Sequence, residues 1–418
     1  MMQLKHIPGI LRIRILYVLI FLSPAVQAQD SNLDLEKIRA GVKEMLSDIQ
    51  SYYVYLPDRA VDWECMATSY LAKVDSLSTQ EDVLLLFEYL LDEFYENHIH
   101  LNVNTNASYR LSSPLHLEVR ENGIFLEGVK RTLNLSSLPD LIGAQVLSFN
   151  GLPMEEQIQR FPTLCQDKSN LEVQNWLVNK VLAGRYDQPR MLALRLTSEE
   201  EYLLDLDALV EDKAEGLLSY REIDGIGIIT LHNSLGNNNL ITAFDQTLDQ
   251  ATATKGILID LRNTIGGGNT YVARGILGRF VQERSPYQRH AFWEQYDKGP
   301  KVERGWMEYV SPRLPVYTKP VAVLINHWTG SMGEGLAIGF DAQDGKTVFG
   351  TSMARLAGAI SNFGLSQLNF GYQLPTERLF HVNGTPREKF IPTYSTELTS
   401  SQKDETMEQA IEWIRSKE

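Results

Sequence analysis

Two short apolar runs, each leading into small residues, constrain the fold of this chain more than any other feature. The first, VAVLI at residues 321–325, is followed by a turn containing Ser331 and then by the apolar residues 335–340. The second, GILIDL at residues 256–261, leads into three consecutive glycines at 266–268. Uninterrupted apolar runs of this length are typical of buried strands. The sequence therefore predicts a layered α/β domain, with a candidate site where these strands end.

The turn after the first run places Ser331 at the predicted start of a helix. Free backbone N–H groups and the helix dipole at such a start favour an oxyanion beside a serine hydroxyl. A strand–turn–helix unit is also a geometry that exposes a nucleophilic serine. The alternative is structural: Ser331 caps the helix, and Glu334 completes a capping box.

The glycines at 266–268 allow the backbone to approach a ligand closely and to adopt positive φ angles. Their N–H groups can then point at a developing negative charge. A flexible turn is the alternative, since a glycine triplet is a weak signal by itself. The triplet and the serine turn together are a much more specific signal.

The two stretches resemble the tail-specific, or C-terminal processing, serine peptidases and the related tricorn core proteases. Residues 260–267, DLRNTIGG, resemble the family motif DLRxNxGG. Residues 329–334, TGSMGE, resemble its TASASE-type nucleophile motif after a strand. The resemblance covers residues 112–418 and, more weakly, the helical segment before them. It implies a crotonase-like spiral (β/α) catalytic domain in which Ser331 is the nucleophile.

One departure from the family pattern concerns the general base. Tail-specific proteases use a lysine in a GKG motif downstream of the serine. In this chain the equivalent residues 351–360, TSMARLAGAI, contain Arg355 and no lysine. Arginine stays protonated and cannot act as a general base. A Ser–Lys dyad is therefore not expected.

The resemblance to tricorn-like enzymes implies instead a histidine base after the N-terminal helices. Asn97-His98-Ile99 resembles the motif that carries it, and histidine suits proton transfer at neutral pH. His98 would accept the Ser331 proton and return it to the leaving amine. The alternative is an ordinary histidine at a helix C-terminus, and His100 is the second choice for the base.

The resemblance also implies a glutamate near the C-terminus, in an ExxGVxPD-type motif that completes the tricorn-like site. Glu388, followed three residues later by an Ile-Pro pair, is the best match, although the glycine of the motif is missing. Glu377 and His381 are competing candidates. A solvated surface carboxylate is the alternative interpretation of Glu388.

The predicted function is that of an exported serine endopeptidase acting on proteins or peptides. The backbone N–H groups of Gly267 and Met332 would form the oxyanion hole, and no metal or organic cofactor is predicted. One alternative is a catalytically inactive peptide- or ligand-binding protein on the same fold. A weaker one is a crotonase-like acyl enzyme, which the export signal argues against.

Four segments are predicted along the chain. Residues 1–28 have the basic start, short apolar run and small-residue cleavage site of a signal peptide. Residues 29–111 are predicted to form an N-terminal helical domain, and residues 216–418 the catalytic domain. Residues 112–215 resemble a PDZ-like domain, which would bind an extended peptide as an extra strand. A small β-rich spacer is the alternative for that segment.

Charge and cysteine content limit the partners. The chain has 53 acidic and 39 basic residues, a net charge of −14, which argues against a nucleic-acid partner. The signal peptide predicts a periplasmic or extracellular protein without stable membrane insertion after cleavage. Protein or peptide substrates are the expected partners, and homo-oligomer formation is left open. Cys65 and Cys165 could pair in such a compartment, but their separate predicted domains favour two buried thiols.

A long polar and aromatic insertion occupies residues 284–318 of the predicted catalytic domain. It contains Trp293 and Trp306 but lacks clear periodicity. Long segments of this kind are often lids or binding loops. A packed surface loop is the alternative prediction.

Overall fold

A computed structural model describes residues 33–417 of the chain and has a mixed α/β fold. The predicted signal peptide, residues 1–28, lies outside the described residues. None of the helices within residues 33–417 has the length and hydropathy needed to cross a membrane.

The first part of the chain is helical. Its elements are α1 (Leu35–Tyr52), α2 (Trp63–Lys73), α3 (Gln80–Asp92) and the short strand β1 (His100–Leu101). Val42, Met45 and Ile49 recur at helical spacing in α1 and are fully buried. Helix α3 ends six residues before His98. The packing of α3 therefore positions the start of the segment that carries His98.

An antiparallel sheet with two helices follows. Its elements are β2 (Leu115–Arg120), β3 (Gly123–Val129), β4 (Gln145–Phe149), α4 (Met154–Gln159), α5 (Leu171–Ala183), β5 (Met191–Arg195) and β6 (Glu201–Asp205). The strands lie in the order β2-β3-β4-β5-β6, and they share a hydrophobic core with both helices. This sheet has a core of its own, separate from that of the last part of the chain.

Two asparagines of α5 close the outer edge of strand β2. The Leu117 N–H donates to Asn179 Oδ1 at 2.9 Å, and Asn179 Nδ2 donates back to the Leu117 carbonyl at 2.8 Å. The Val119 N–H donates to Asn175 Oδ1 at 2.9 Å. Alternate residues of an edge strand point their backbone N–H and C=O groups away from the sheet. Asn175 and Asn179 are four residues apart on one face of α5, so they reach two such alternate residues, Val119 and Leu117.

The last part of the chain contains the two apolar runs. Its elements are β7 (Leu218–Ile223), β8 (Ile226–Leu231), α6 (Asn239–Gln250), β9 (Gly256–Asp260), α7 (Thr270–Leu277), β10 (Ser285–Glu294), β11 (Val302–Val310), β12 (Val321–Ile325), α8 (Met332–Asp341), β13 (Lys346–Gly350), β14 (Ala359–Gly364), β15 (Gly371–Phe380), β16 (Tyr394–Ser395) and α9 (Glu405–Arg415).

The apolar runs form neighbouring parallel strands in a six-stranded sheet. The order is β16-β13-β12-β9-β8-β7, with only β7 antiparallel to its neighbour. Ile257 and Ile259 pack into a core with α6, α7 and α8, whereas Leu258 packs on the opposite face towards α9. Both faces are therefore covered, which explains why the strands read as continuous apolar runs.

The DLR motif joins the end of β9 to the C-terminal helix. Arg262 is 4% exposed and donates to both oxygens of Asp260 and to both oxygens of Asp404. Asp404 is also the N-cap of α9 and accepts from the Met407 N–H. These charges are paired and hydrogen-bonded, as buried charges must be.

The insertion at 284–318 is mainly a hairpin, not an irregular loop. Strands β10 and β11 pair antiparallel over their length, and β10 also pairs with β15. The second sheet of this part of the chain has the order β1-β15-β10-β11, with β14 on β15. Strand β11 is an edge strand exposed along most of its length, which explains the lack of sequence alternation.

The prediction of two unpaired buried thiols is wrong, because Cys65 and Cys165 form a disulfide. The bond links α2 to the loop before α5. Glu93 reinforces the same junction, since its Oε1 accepts from the N–H groups of Leu164 and Cys165. The two cysteines lie 100 residues apart in sequence, on segments whose surfaces meet in the folded protein.

Replacing both Cys65 and Cys165 by alanine should lower the free energy of unfolding by about 2–4 kcal/mol, because the bond closes a long loop. The sequence separation is 100 residues. Chemical denaturation of the oxidised protein and the double variant measures this difference. Thiol alkylation followed by intact mass should add no label before reduction and two labels after it. Labelling of the unreduced, unfolded protein would contradict the pairing.

Candidate active site

The glycine loop and the serine turn lie side by side at the ends of β9 and β12. Thr264 and Thr329 form a parallel β-bridge beyond the paired strands, and the Gly330 N–H donates to the Thr264 carbonyl at 3.1 Å. A Cβ on Gly330 would lie only 2.8 Å from the Ile265 carbonyl oxygen. Glycine is therefore needed where the two loops touch.

Ser331 has a strained backbone at the start of α8. Its φ is 51° and ψ is −114°, although it is not glycine. Such conformations cluster at functional sites, where the surrounding structure maintains them. The Ser331 N–H donates to Glu334 Oε2 at 2.9 Å, so the predicted carboxylate half of a capping box is present beside a serine that is half-buried.

The two predicted oxyanion-hole residues lie on the two adjoining loops, Met332 directly after Ser331 and Gly267 in the glycine loop. Met332 is the first residue of α8, where backbone N–H groups have no acceptor within the helix. Gly267 is exposed in the glycine loop, with open space where a side chain would be. The neighbouring Gly266 N–H already donates to Asn233 Oδ1 at 2.6 Å, which fixes the loop and orients its next peptide.

His98 is buried, and its ring is oriented by a backbone carbonyl. Nδ1 lies 2.8 Å from the Ala357 oxygen. Because a carbonyl only accepts, Nδ1 must carry the proton and Nε2 has the free lone pair that a general base needs. Burial lowers the pKa of His98 to about 4, so the ring is neutral at neutral pH.

The segment 354–358 connects the serine turn to His98. The Ala354 N–H donates to the Thr329 carbonyl at 2.9 Å, and Ala357 binds the His98 ring three residues later. Three residues of extended chain span at most about 11 Å. Among the hydrogen bonds of residues 33–417, none joins the Ser331 hydroxyl directly to His98.

Arg387 and Glu334 form a second connection between Ser331 and the segment 354–358. Arg387 Nη2 donates to the carbonyls of Leu356 and Gly358, at 2.9 and 2.8 Å, on either side of Ala357. It also lies 3.8 Å from Glu334 Oε2, which accepts from the Ser331 N–H. Burial raises the pKa of the Glu334 carboxyl to about 8, and Arg387 opposes the rise.

Glu388 lies beside this network but does not contact the His98 ring. Its Oε2 accepts from the Tyr55 hydroxyl at 3.4 Å, and the His98 Nδ1–H is already bound to Ala357. The carboxylate is half-buried in a short 3-10 helix next to Arg387. The structure therefore brings Glu388 to the edge of the site rather than into a His–Glu pair.

The competing candidates are engaged elsewhere. Glu377 pairs with Nδ1 of His290 on β10. His381 lies 3.4 Å from Asp341, which ends α8, whereas Ser331 precedes the start of that helix. The ten-residue helix is about 15 Å long, so His381 is far from the serine.

Sequence reasoning missed two buried residues of the site, Glu96 and Arg387. Both are charged and at most 4% exposed. Arg387 precedes Glu388 and Glu96 lies two residues before His98, but neither belongs to a motif that was recognised. The signal that the sequence offers is the number of charged residues close to His98 and Glu388 along the chain. Within residues 33–417 no cluster of three or more His, Cys, Asp or Glu has the geometry to hold a metal ion.

Two parts of the chain match known protease families. Residues 225–395, which include β9, β12 and the serine turn, match peptidase family S41. The chain contains a family S41 peptidase domain. It is a serine-type peptidase of the C-terminal processing group. Residues 41–92 of the peptidase match the tricorn protease C1 domain, in agreement with the predicted tricorn-like branch.

Solved structures share the fold of the peptidase at low sequence identity. Mature CPAF is 12% identical, with a TM-score of 0.62, and the match covers 91% of the peptidase and 96% of CPAF. The photosystem II D1 C-terminal processing protease is 13% identical (TM-score 0.52; 86% and 93% covered). A putative peptidase from Parabacteroides merdae is 16% identical (TM-score 0.53; 90% and 96% covered). No protein of curated function matches the peptidase by sequence.

Replacing Gly333 by alanine should destabilise the peptidase, because the added methyl group would overlap the Thr264 hydroxyl. Overpacking of this kind costs about 1–3 kcal/mol. Thermal or chemical unfolding measures the loss. Gly364→Ala is the matched control, since its Cβ would enter open space. Equal stability of the Gly333 variant and wild type would contradict the close packing of the two loops.

Replacing Glu334 by glutamine should flatten the dependence of stability on pH. The folded peptidase keeps a proton on Glu334 up to about pH 8, whereas the ordinary pKa is 4.5. Wild-type stability should therefore fall as the pH rises between these values, and the variant should lose this slope. Melting temperatures from pH 5 to 8 measure it, with exposed Glu121→Gln as control. An unchanged slope in the Glu334 variant would refute the assignment.

Proposed function

We propose that this peptidase is an exported endopeptidase of proteins or peptides, with Ser331 as nucleophile and His98 as general base. Ser331 Oγ attacks the scissile carbonyl carbon while His98 Nε2 takes its proton. The N–H groups of Gly267 and Met332 stabilise the oxyanion, a contribution typically worth about a hundredfold or more in rate. His98 then protonates the leaving amine, and water hydrolyses the acyl-enzyme.

One observation carries the proposal: the segment 354–358 is hydrogen-bonded to the serine turn at one end and to the His98 ring at the other. The bond to Ala357 selects the ring tautomer that a base requires. A separate Glu334–Arg387 connection supports the same arrangement. Glu388 is proposed as the third, supporting residue, acting through its charge beside Arg387 rather than through a bond to His98.

Export is the proposed location, in the periplasm or outside the cell. The Cys65–Cys165 disulfide supports it, since such bonds persist mainly in oxidising compartments. We further propose a crotonase-like catalytic domain at 216–418, preceded by an N-terminal helical domain at 29–111 and a PDZ-like domain at 112–215. Strands β2 to β6 with α5 are the elements assigned to the PDZ-like domain.

Covalent labelling with a fluorophosphonate probe tests the nucleophile and the base. Wild type should label at Ser331, and labelling should be lost in Ser331→Ala and reduced at least a hundredfold in His98→Ala. Peptide mapping by mass spectrometry locates the label, and Ser361→Ala on exposed β14 is the control. A structure of mature CPAF complexed with lactacystin makes lactacystin a useful second probe.

The pH dependence of labelling distinguishes a buried His98 from an ordinary histidine. With a pKa of about 4, His98 stays in its base form at pH 5.5, so the labelling rate should be nearly constant from pH 7.5 to 5.5. A base with a pKa near 6.5 would lose about tenfold in that interval. Absence of labelling by both probes would support the inactive ligand-binding alternative. Undiminished labelling of His98→Ala would refute the base assignment.

A further inference from the structure

The Glu96 carboxylate joins the two parts of the chain that orient the proposed base. Its Oε1 accepts from the His98 N–H at 3.0 Å and from the Ala357 N–H at 3.3 Å. The Ala357 carbonyl in turn accepts from the His98 ring. Three hydrogen bonds thus form a closed loop through the Glu96 carboxylate, the backbone of Ala357 and the histidine, which we call the Glu96 clamp.

The segment 354–358 needs such external support because its backbone is irregular. Arg355 and Gly358 both have positive φ, 58° and 55°, and the residues belong to no helix or strand before β14. Buried backbone groups outside regular structure require other partners. Arg387 binds the carbonyls on either side of Ala357, and Glu96 binds its N–H from the His98 side.

Glu96 is itself rigidly held. It is 4% exposed, and its Oε2 forms an ion pair with Arg59 at 2.5 Å. Arg59 also donates to the Tyr53 hydroxyl and lies over the Tyr95 ring. A buried charge that is paired and fully hydrogen-bonded resists displacement, so the clamp sets a fixed distance between the histidine backbone and Ala357.

We propose that Glu96 is a positioning residue: it fixes the His98 ring in the Nδ1–H tautomer, with Nε2 available to Ser331, by binding Ala357 to the histidine segment. This inference rests on the proposed function for its catalytic consequence. Its structural part, the state of the His98 ring, is measurable without any activity. The partners of the Glu96 carboxylate are Arg59 and the N–H groups of His98 and Ala357, so its proposed effect on the site runs through His98 and Ala357.

Glu96→Leu removes the clamp at similar side-chain size, whereas Glu96→Gln keeps one oxygen that can accept both N–H groups. Glu93→Gln is a matched control, because Glu93 is equally buried and also accepts two backbone N–H groups, at Leu164 and Cys165, but touches neither His98 nor Ala357. Glu96→Asp, whose arm is one methylene shorter, replaces the leucine variant if that variant does not fold.

The first measurement is ¹⁵N–¹H NMR of the histidine rings. Wild type should show a slowly exchanging Nδ1–H signal that is missing in His98→Gln. This signal should persist in Glu96→Gln and Glu93→Gln and vanish in Glu96→Leu, although the variant's circular dichroism and unfolding transition still report a folded protein. Retention of the signal in Glu96→Leu, or its loss in Glu93→Gln, would overturn the proposal.

The second measurement is the second-order rate constant of fluorophosphonate labelling, taken at a pH where the rate no longer changes with pH. Misplacement of a base by about 1 Å costs on the order of a hundredfold, so Glu96→Leu should lose between ten- and a hundredfold. Glu96→Gln should restore the rate to within about threefold, and Glu93→Gln should match wild type. If wild type does not label, the proposed function fails while the NMR result still decides the clamp. If wild type labels and Glu96→Leu labels equally, the clamp fails alone.

Discussion

Parallel pairing of β9 with β12 is the constraint on which the rest of the site depends. Parallel strands end at the same edge of a sheet, so two loops that are far apart in sequence emerge next to each other. The Thr264–Thr329 bridge extends this pairing past the strands. The serine turn that begins α8 and the glycine loop therefore lie next to each other. Loss of this register would separate the proposed nucleophile from the glycine loop and its proposed oxyanion donor.

Backbone groups make many of the contacts around the proposed base. The segment 351–360 contains Arg355 and no lysine, and its contact with the His98 ring is the carbonyl of Ala357. The histidine comes from the opposite end of the sequence, 259 residues away. Three buried ionisable residues, Glu96, Glu334 and Arg387, hold this segment and the serine turn together.

The strands and loops of the central sheet could be predicted from sequence because burial on both faces leaves continuous apolar runs. The predicted β12 and the observed Val321–Ile325 coincide. The β10–β11 hairpin could not be predicted in this way, since an edge strand exposed on both faces carries no alternating pattern. Ser331 and His98 were found through motifs. The roles of Glu96 and Arg387 depend on contacts with backbone that is distant in sequence. The Cys65–Cys165 bond depends on the contact between two surfaces. No local sequence pattern could predict these contacts.

The asparagine contacts on β2 have a consequence for recognition. A strand edge can recruit an incoming peptide only while its outward N–H and C=O groups are vacant. On β2 the N–H and C=O of Leu117 are bound by Asn179, and the N–H of Val119 is bound by Asn175. An incoming peptide would have to break these hydrogen bonds to the asparagine side chains and displace α5 before it could form hydrogen bonds with β2. In this conformation this part of the β2 edge is closed to an incoming peptide strand.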